Sequence, residues 1–198
     1  MPKVVDRERR RGDLAKAAAR VIARIGLEGV TVQSVAAEAE CSAGSIAHYF
    51  RNKDELLVHA LRVVTEPLMV SLRDEGNLPR SLESLRGLAQ ASLPLDAARE
   101  RDWRVRLAFW TRASGPPEEV QLARQHLAEW RLLWEAAVRR LQNAGVLSSE
   151  NDARKLSSGI VAIIVGTATH LLVRPRNGAH PGDALDSYFR SLGQRSGQ

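Results

Sequence analysis

Apolar residues recur every three to four positions along almost the whole chain, and no stretch keeps the alternation that a half-buried strand requires. Leu14, Ala18, Val21, Ile22 and Ile25 form one face of a first helix, which Gly26 ends. Thr31 predicts the N-cap of a short second helix over about 32–39, and Ser42 that of a third over about 43–50. Asn52 caps a fourth, with Asp54 and Glu55 in its first turn, where the helix dipole favours anions. Leu57, Leu61, Val64, Leu68 and Leu72 make the apolar face of that helix, and Pro67 predicts a kink in it. Gly76, Asn77 and Pro79 then break the pattern. Ser81 opens a fifth helix that Pro94 stops, and Asp96 opens a sixth carrying Trp103, Leu107 and Trp110. After Gly115-Pro116-Pro117, a seventh over about 117–143 places Ala123, Leu127, Trp130, Trp134, Ala137 and Leu141 at near-heptad spacing, and Gly145 closes it. Ser149 to Asp152 predicts a capping box for an eighth helix reaching about Val173. Pro175 and the loop Arg176–Gly182 separate it from a last helix with Leu185, Tyr188, Phe189 and Leu192.

The pattern predicts an all-α fold of about nine helices. Residues 1–52 make an N-terminal three-helix unit, and 53–198 a larger helical body. The chain has 198 residues, 44% hydrophobic and 26% charged, enough for a sizeable core. Net charge is +6, which favours an acidic partner. Over residues 7–24, Arg7, Arg9, Arg10, Arg11, Lys16, Arg20 and Arg24 stand against only Glu8 and Asp13. A basic arm of this kind suits nucleic acid; a solvated helix start accounts for it as well. Cys41 is the only cysteine, so no internal disulfide forms and a reducing cytoplasm is expected. No signal peptide is read at the N-terminus, and the apolar run Gly159–Val173 is read as a buried or interface helix, with no membrane partner.

Two short helices joined by a tight turn, after a longer basic helix, describe a helix-turn-helix whose second short helix enters the major groove of DNA. In "CSAGSIAHYFRNKDELL", Cys41–Leu57, Ile46 and Phe50 anchor the back of that helix. Ala43, Ser45 and Ala47 are small enough to sit deep in a groove. Gly44 lets backbone approach phosphate. His48 and Tyr49 face outward, and Lys53 stands at the next helix start, where an anion is already favoured.

The longer stretch "TVQSVAAEAECSAGSIAHYFRNKDELL" resembles the DNA-binding signature of the TetR family of bacterial transcriptional regulators. Thr31, Val32, Ala36, Ala39, Ser42, Gly44, Tyr49, Phe50, Lys53 and Leu57 stand at matching places. The resemblance implies that Thr31, Tyr49 and Lys53 contact phosphate, and that Gln33, Ala43, Ser45 and His48 lie at or near base edges. Glu40 departs from the family by standing where glycine is usual in the turn; a left-handed conformation there would cost about 1 kcal/mol. Ala47 replaces a frequent aromatic, which moves readout towards Gln33 and His48. Cys41 stands where valine is common, as a small hydrophobe or a redox-sensitive thiol.

The family resemblance further implies a small-molecule effector in the C-terminal body and a homodimer through the last two helices, seated on a palindromic operator. The segment from Trp103 through the seventh helix, with "IVAIIVGTATHLLV" after it, is similar to choline-responsive BetI-type members. The residues support the dimer by themselves. A helix that is apolar nearly all round needs cover on more than one face, with Gly159, Ala162, Gly166 and Ala168 allowing close approach. A central core helix of one subunit is the other reading. Trp103, Phe109, Trp110 and Trp134 are candidate effector-binding residues, because aromatic walls make ligand pockets and attract cations. Plain core packing explains them too. His126 and His170 are open in the same way.

No phosphate-cradling glycine motif, HExxH, CxxC or nucleophile elbow is present, so no catalytic residue, metal or cofactor is predicted and the chain is not read as an enzyme. The expected function is a ligand-responsive DNA-binding regulator, a repressor released by a small molecule. The alternative is a helical small-molecule-binding or scaffold protein without DNA regulation.

Overall fold

The computed structural model describes residues 2–73, 78–111, 117–173 and 182–194. Every regular element among them is a helix: α1 (Pro2–Ile25), α2 (Val32–Glu38), α3 (Ala43–Tyr49), α4 (Lys53–Arg73), α5 (Leu82–Ala91), α6 (Ala97–Trp110), α7 (Pro117–Asn143), α8 (Ala153–Val173) and α9 (Gly182–Gln194). The expected breaks at Gly76-Asn77 and Gly115-Pro116, the Pro175 loop before Gly182, and the side chains of Leu68 and Leu72 lie outside the described residues.

Side-chain capping sets most boundaries. The Thr31 hydroxyl accepts the Ser34 amide at 3.0 Å and the Ser34 hydroxyl accepts the Thr31 amide at 3.0 Å, a reciprocal box that starts α2. Ser42 accepts the Ser45 amide at 3.1 Å for α3, and Asn52 accepts the Glu55 amide at 2.8 Å for α4. Ser81 with Ser84, and Asp96 with the Arg99 amide, do the same for α5 and α6. The expected Ser149–Asp152 box does not form. Asp152 caps α8 itself, accepting the amides of Arg154 at 2.8 Å and Lys155 at 3.4 Å. A carboxylate directly before the helix satisfies two amides and complements the dipole. α7 ends in a Schellman turn on Gly145, at φ +71, with Val146 N–H donating to the Leu141 carbonyl at 2.9 Å.

The described residues divide into two compact units. The first holds residues 1–67 and 100–124. Its core joins Leu14, Ala18, Val21 and Ile22 of α1 to Val35, Ile46, Phe50, Leu57 and Leu61, and takes Val105 and Phe109 from α6. Ile25, expected on the buried face of α1, is 48% exposed; its side chain instead closes over the backbone at Gly29. α6 buries Trp103, Val105, Arg106 and Phe109, residues that point in several directions around the helix, so it is covered on more than one side.

The second unit holds residues 68–99 and 125–198. Along α7 the buried stripe is His126, Trp130, Trp134, Ala137 and Leu141. Leu127 was expected inward but lies one position off that stripe and is 39% exposed. α5 is tied to α9 by Arg86, which donates to Asp186 at 2.8 Å and to Glu83 of its own helix at 2.6 Å. α8 meets α9 at Gly159, where an added Cβ would collide with the Tyr188 hydroxyl. Gly159 and the fully buried Ala168 therefore serve packing within the chain, whereas nothing lies within 4 Å of a Cβ built at Gly166. By length and composition α8 could cross a membrane, and 33% of its most apolar window is buried.

Gly159→Ala should lower unfolding stability by about 1–3 kcal/mol through overpacking. The cost should vanish when Tyr188 is also truncated to Ala. Urea unfolding of the two single variants and the double variant checks this.

Candidate nucleic-acid interface

The turn between α2 and α3 is built like a helix C-terminus that should carry glycine. Cys41 N–H donates to the Ala36 carbonyl at 2.9 Å and Glu40 N–H to the Ala37 carbonyl at 3.2 Å, a Schellman pair. Glu40 takes the left-handed position, φ +50, alone among the described non-glycine residues. The strain expected for a side chain there, about 1 kcal/mol, is thus present. Cys41 packs half-buried against the core of the first unit, as a small hydrophobe does.

That turn sets α3 on the core by one face. Ile46 and Phe50 are 2% and 3% exposed. At about 3.6 residues per turn, Gly44, Ala47 and His48 fall on the opposite side, and all three are exposed. Ala43 and Ser45 flank them half-buried, and the Ser45 hydroxyl lies 2.9 Å from that of Ser42. Gly44 does not serve the fold: its φ is not left-handed, and a Cβ there would make only an ordinary contact, 3.7 Å from the Ser42 hydroxyl. Thr31 and Gln33 are exposed at the start of α2. Tyr49 is half-buried against the core, its ring edge-on to His48 at 5.0 Å. Lys53 is half-buried at the first turn of α4. None of the eight residues expected to contact DNA is buried in the chain.

Arg11 fixes the far end of α3. It reaches across from α1, and its Nη1 donates to the Tyr49 carbonyl at 3.0 Å. Its Nη2 donates to Glu55 at 2.9 Å and to His59 Nε2 at 2.9 Å, while the guanidinium lies 4.8 Å from the Phe50 ring centroid. His59 Nδ1 lies 3.0 Å from the Glu55 carbonyl, so the ring bridges Arg11 to the backbone of α4. The Arg51 amide donates to the other oxygen of Glu55 at 2.8 Å. That amide, then the Arg11 guanidinium, hold the Glu55 pKa down to about 2. A second brace joins α1 to α2. Arg20 and Arg24 donate to the two oxygens of Glu38 at 2.6 and 2.9 Å, which lowers that carboxyl as well.

These bonds revise the reading of the basic arm. Arg11, Arg20 and Arg24 cross-brace the first unit, and Arg9 pairs with Asp6. Arg11 was legible only as one charge among seven. Its signal was position, since it extends the Leu14–Ala18 face of α1 by one turn. Arg51, 88% exposed, reaches the same carboxylate, its Nε 3.3 Å from Glu55 Oε2.

The tryptophans separate by unit. Trp103 and Trp110 of the first meet edge to face at 5.9 Å. Phe109 joins the core beneath α1–α4. Trp134 is fully buried in the second unit.

A family model described as bacterial regulatory proteins, tetR family, matches residues 14–60, and one described as BetI-type transcriptional repressor, C-terminal, matches residues 81–191. The chain belongs to the TetR family. A TetR-family relative, the HTH-type transcriptional regulator BetI of Burkholderia lata, is 34% identical over 84% of this chain and 84% of its own. Among solved structures, a transcriptional regulator from Rhodococcus sp. Rha1 is 28% identical, with a TM-score of 0.78 over 93% of this chain and 96% of that one. A regulator from Saccharomonospora viridis, solved in complex with choline, has the same fold, with 24% identity and a TM-score of 0.75 over 94% and 95% of the two chains. As a TetR-family member the chain is a DNA-binding transcriptional regulator, and the helix-turn-helix above is its DNA-binding element.

Because folding lowers the Glu55 pKa from 4.5 to about 2, its contribution is complete above about pH 4.5 and fades as the pH falls towards 2. The stability gap between the wild type and Glu55→Gln should therefore be flat above that range and shrink below it. Thermal unfolding of both proteins across pH at fixed ionic strength reads the gap.

Proposed function

We propose that this regulator is a repressor that binds a palindromic operator as a homodimer and is released by a small molecule. The observation that carries the DNA reading is the uncovered face of α3, with a glycine in its first turn that the chain's own packing does not require. Gly44 there lets the backbone approach DNA. Thr31, Tyr49 and Lys53 take phosphates, and Lys53 does so at the start of a 21-residue helix. Gln33, Ala43, Ser45 and His48 meet base edges. Residues 1–52 serve as the DNA-binding domain and 53–198 as the effector and dimer domain.

The dimer reading rests on α8. Ser158, Ala162, Gly166 and His170 follow one another at four-residue spacing and are all exposed, and Val173 beyond them is 78% exposed. A ridge in which Ser158, Ala162 and Gly166 are small, on an apolar helix, suits a second copy of itself, with α9 alongside. Two recognition helices on a two-fold axis then meet half-sites about 34 Å apart. Such a repressor works in the cytoplasm, where the chromosome is.

The choline-bound neighbour supports a small organic effector. Trp103, Phe109 and Trp110 in the first unit and, separately, Trp134 in the second are the residues proposed to bind it. Trp134 Nε1 and Thr167 Oγ1 are buried without a hydrogen-bond partner among the described residues, which leaves polar groups for a ligand to satisfy. Release requires the effector to prefer the DNA-free geometry; a hundredfold preference corresponds to about 2.7 kcal/mol.

Mapping of bound sites across the genome, followed by footprinting, tests the reading. Palindromic sites protected by two chains support it, and a protein that shifts no DNA is the scaffold alternative instead. Lys53→Ala should weaken every operator alike and lower the salt slope by about one. His48→Ala or Gln33→Ala should change the preferred base at one position by about 1–3 kcal/mol.

Gly166→Arg should yield folded monomers with about the helix content of the wild type. Sedimentation would show them, and their loss of operator affinity would exceed that of any single base-contact variant.

A further inference from the structure

The first unit buries a charge that the DNA interface does not use. Arg106 of α6 is 7% exposed, and its Nη2 donates to the Val64 carbonyl at 2.7 Å. That carbonyl lies three residues before Pro67, where the ring removes an amide donor and disturbs the ladder of α4. The bond occupies one of five guanidinium N–H groups, and it is the side chain's one direct polar contact among the described residues. Asp102, one turn back, favours the charge from a distance. Loss of water outweighs it and brings the pKa down to about 10, so the group is still a cation near neutrality. Capping a carbonyl needs a donor but no charge. A buried cation without a direct anionic partner is costly.

The surroundings indicate what would complete it. The guanidinium carbon lies 5.4 Å from the Trp103 ring centroid, and Trp103 meets Trp110 edge to face. A forked donor matches a carboxylate, and flat apolar walls match the body that carries it. A quaternary ammonium would need an aromatic face without a competing cation, and Arg106 already stands beside Trp103. We infer that the effector of this chain is a small organic carboxylate, held through Arg106 against the Trp103–Trp110 pair. This rests on the effector-responsive reading above.

The test uses the full chain and four probes, hexanoate, benzoate, phenylacetate and cinnamate, each beside its primary amide, with choline as the cation. Tryptophan emission and thermal stability report binding. At least one carboxylate should bind while its amide and choline do not. Arg106→Gln, which still offers a donor to Val64, should keep the ligand-free melting temperature and weaken that carboxylate about tenfold or more. Arg106→Lys should retain the preference for the acid over the amide. Binding of choline or an amide without any carboxylate overturns the anion and leaves an effector-responsive regulator standing. No binding by any probe counts against both readings. If Arg106→Gln melts far lower yet binds the carboxylate unchanged, Arg106 is a helix cap alone and the proposal fails.

Discussion

The Arg11–Glu55 contact holds together what the DNA-binding unit needs. One guanidinium, 16% exposed, links three helices: it starts from α1, takes the last carbonyl of α3, and pairs with a carboxylate in the first turn of α4. α3 is seven residues long, far below the roughly 12–15 at which an isolated helix becomes even marginal in water. Its position is therefore set from outside, by Ile46 and Phe50 below and Arg11 at its end. A lone surface ion pair would add little. Here the charges are sheltered, the carboxylate also accepts an amide, and the arginine stacks on Phe50, so the contact specifies geometry as well as contributing stability.

This bracing changes how the positive charge of the chain is understood. A net +6 suggests a surface spread for phosphate, yet three cations of α1 are spent on Glu55 and Glu38. The count of cations in α1 therefore overstates what is left for an acidic partner. The same distinction applies to Arg106, which is a charge the fold tolerates at the edge of a proline-disturbed turn.

Much of this was legible in the residues. Thr31, Ser42, Asn52 and Ser81 each cap the helix they were expected to cap, because a short polar side chain before an apolar period has few other uses. Glu40 was flagged by its place in the turn, and its backbone is left-handed. The errors of facing share one cause: periodicity assigns a face but cannot see which neighbour covers it. Leu127 and His126 differ by one position, and only the packed stripe of α7 decides between them. Gly159 and Gly166 look alike in sequence, yet one lies under Tyr188 and the other faces outward. Arg11 and Arg106 look like surface charges, because long-range partners such as Glu55, or a carbonyl in another helix, leave no local signature.

The shortness of α3 has a consequence for how the molecule breathes. A seven-residue helix with a glycine in its first turn and one wholly buried side chain, Ile46, opens at low free energy, so its amides should sit among the weakly protected ones in hydrogen exchange. Its order is borrowed from the helices around it. Occupancy of the groove by this element would then slow exchange at amides that touch no nucleotide, including those of the turn at Glu40, where the backbone is left-handed.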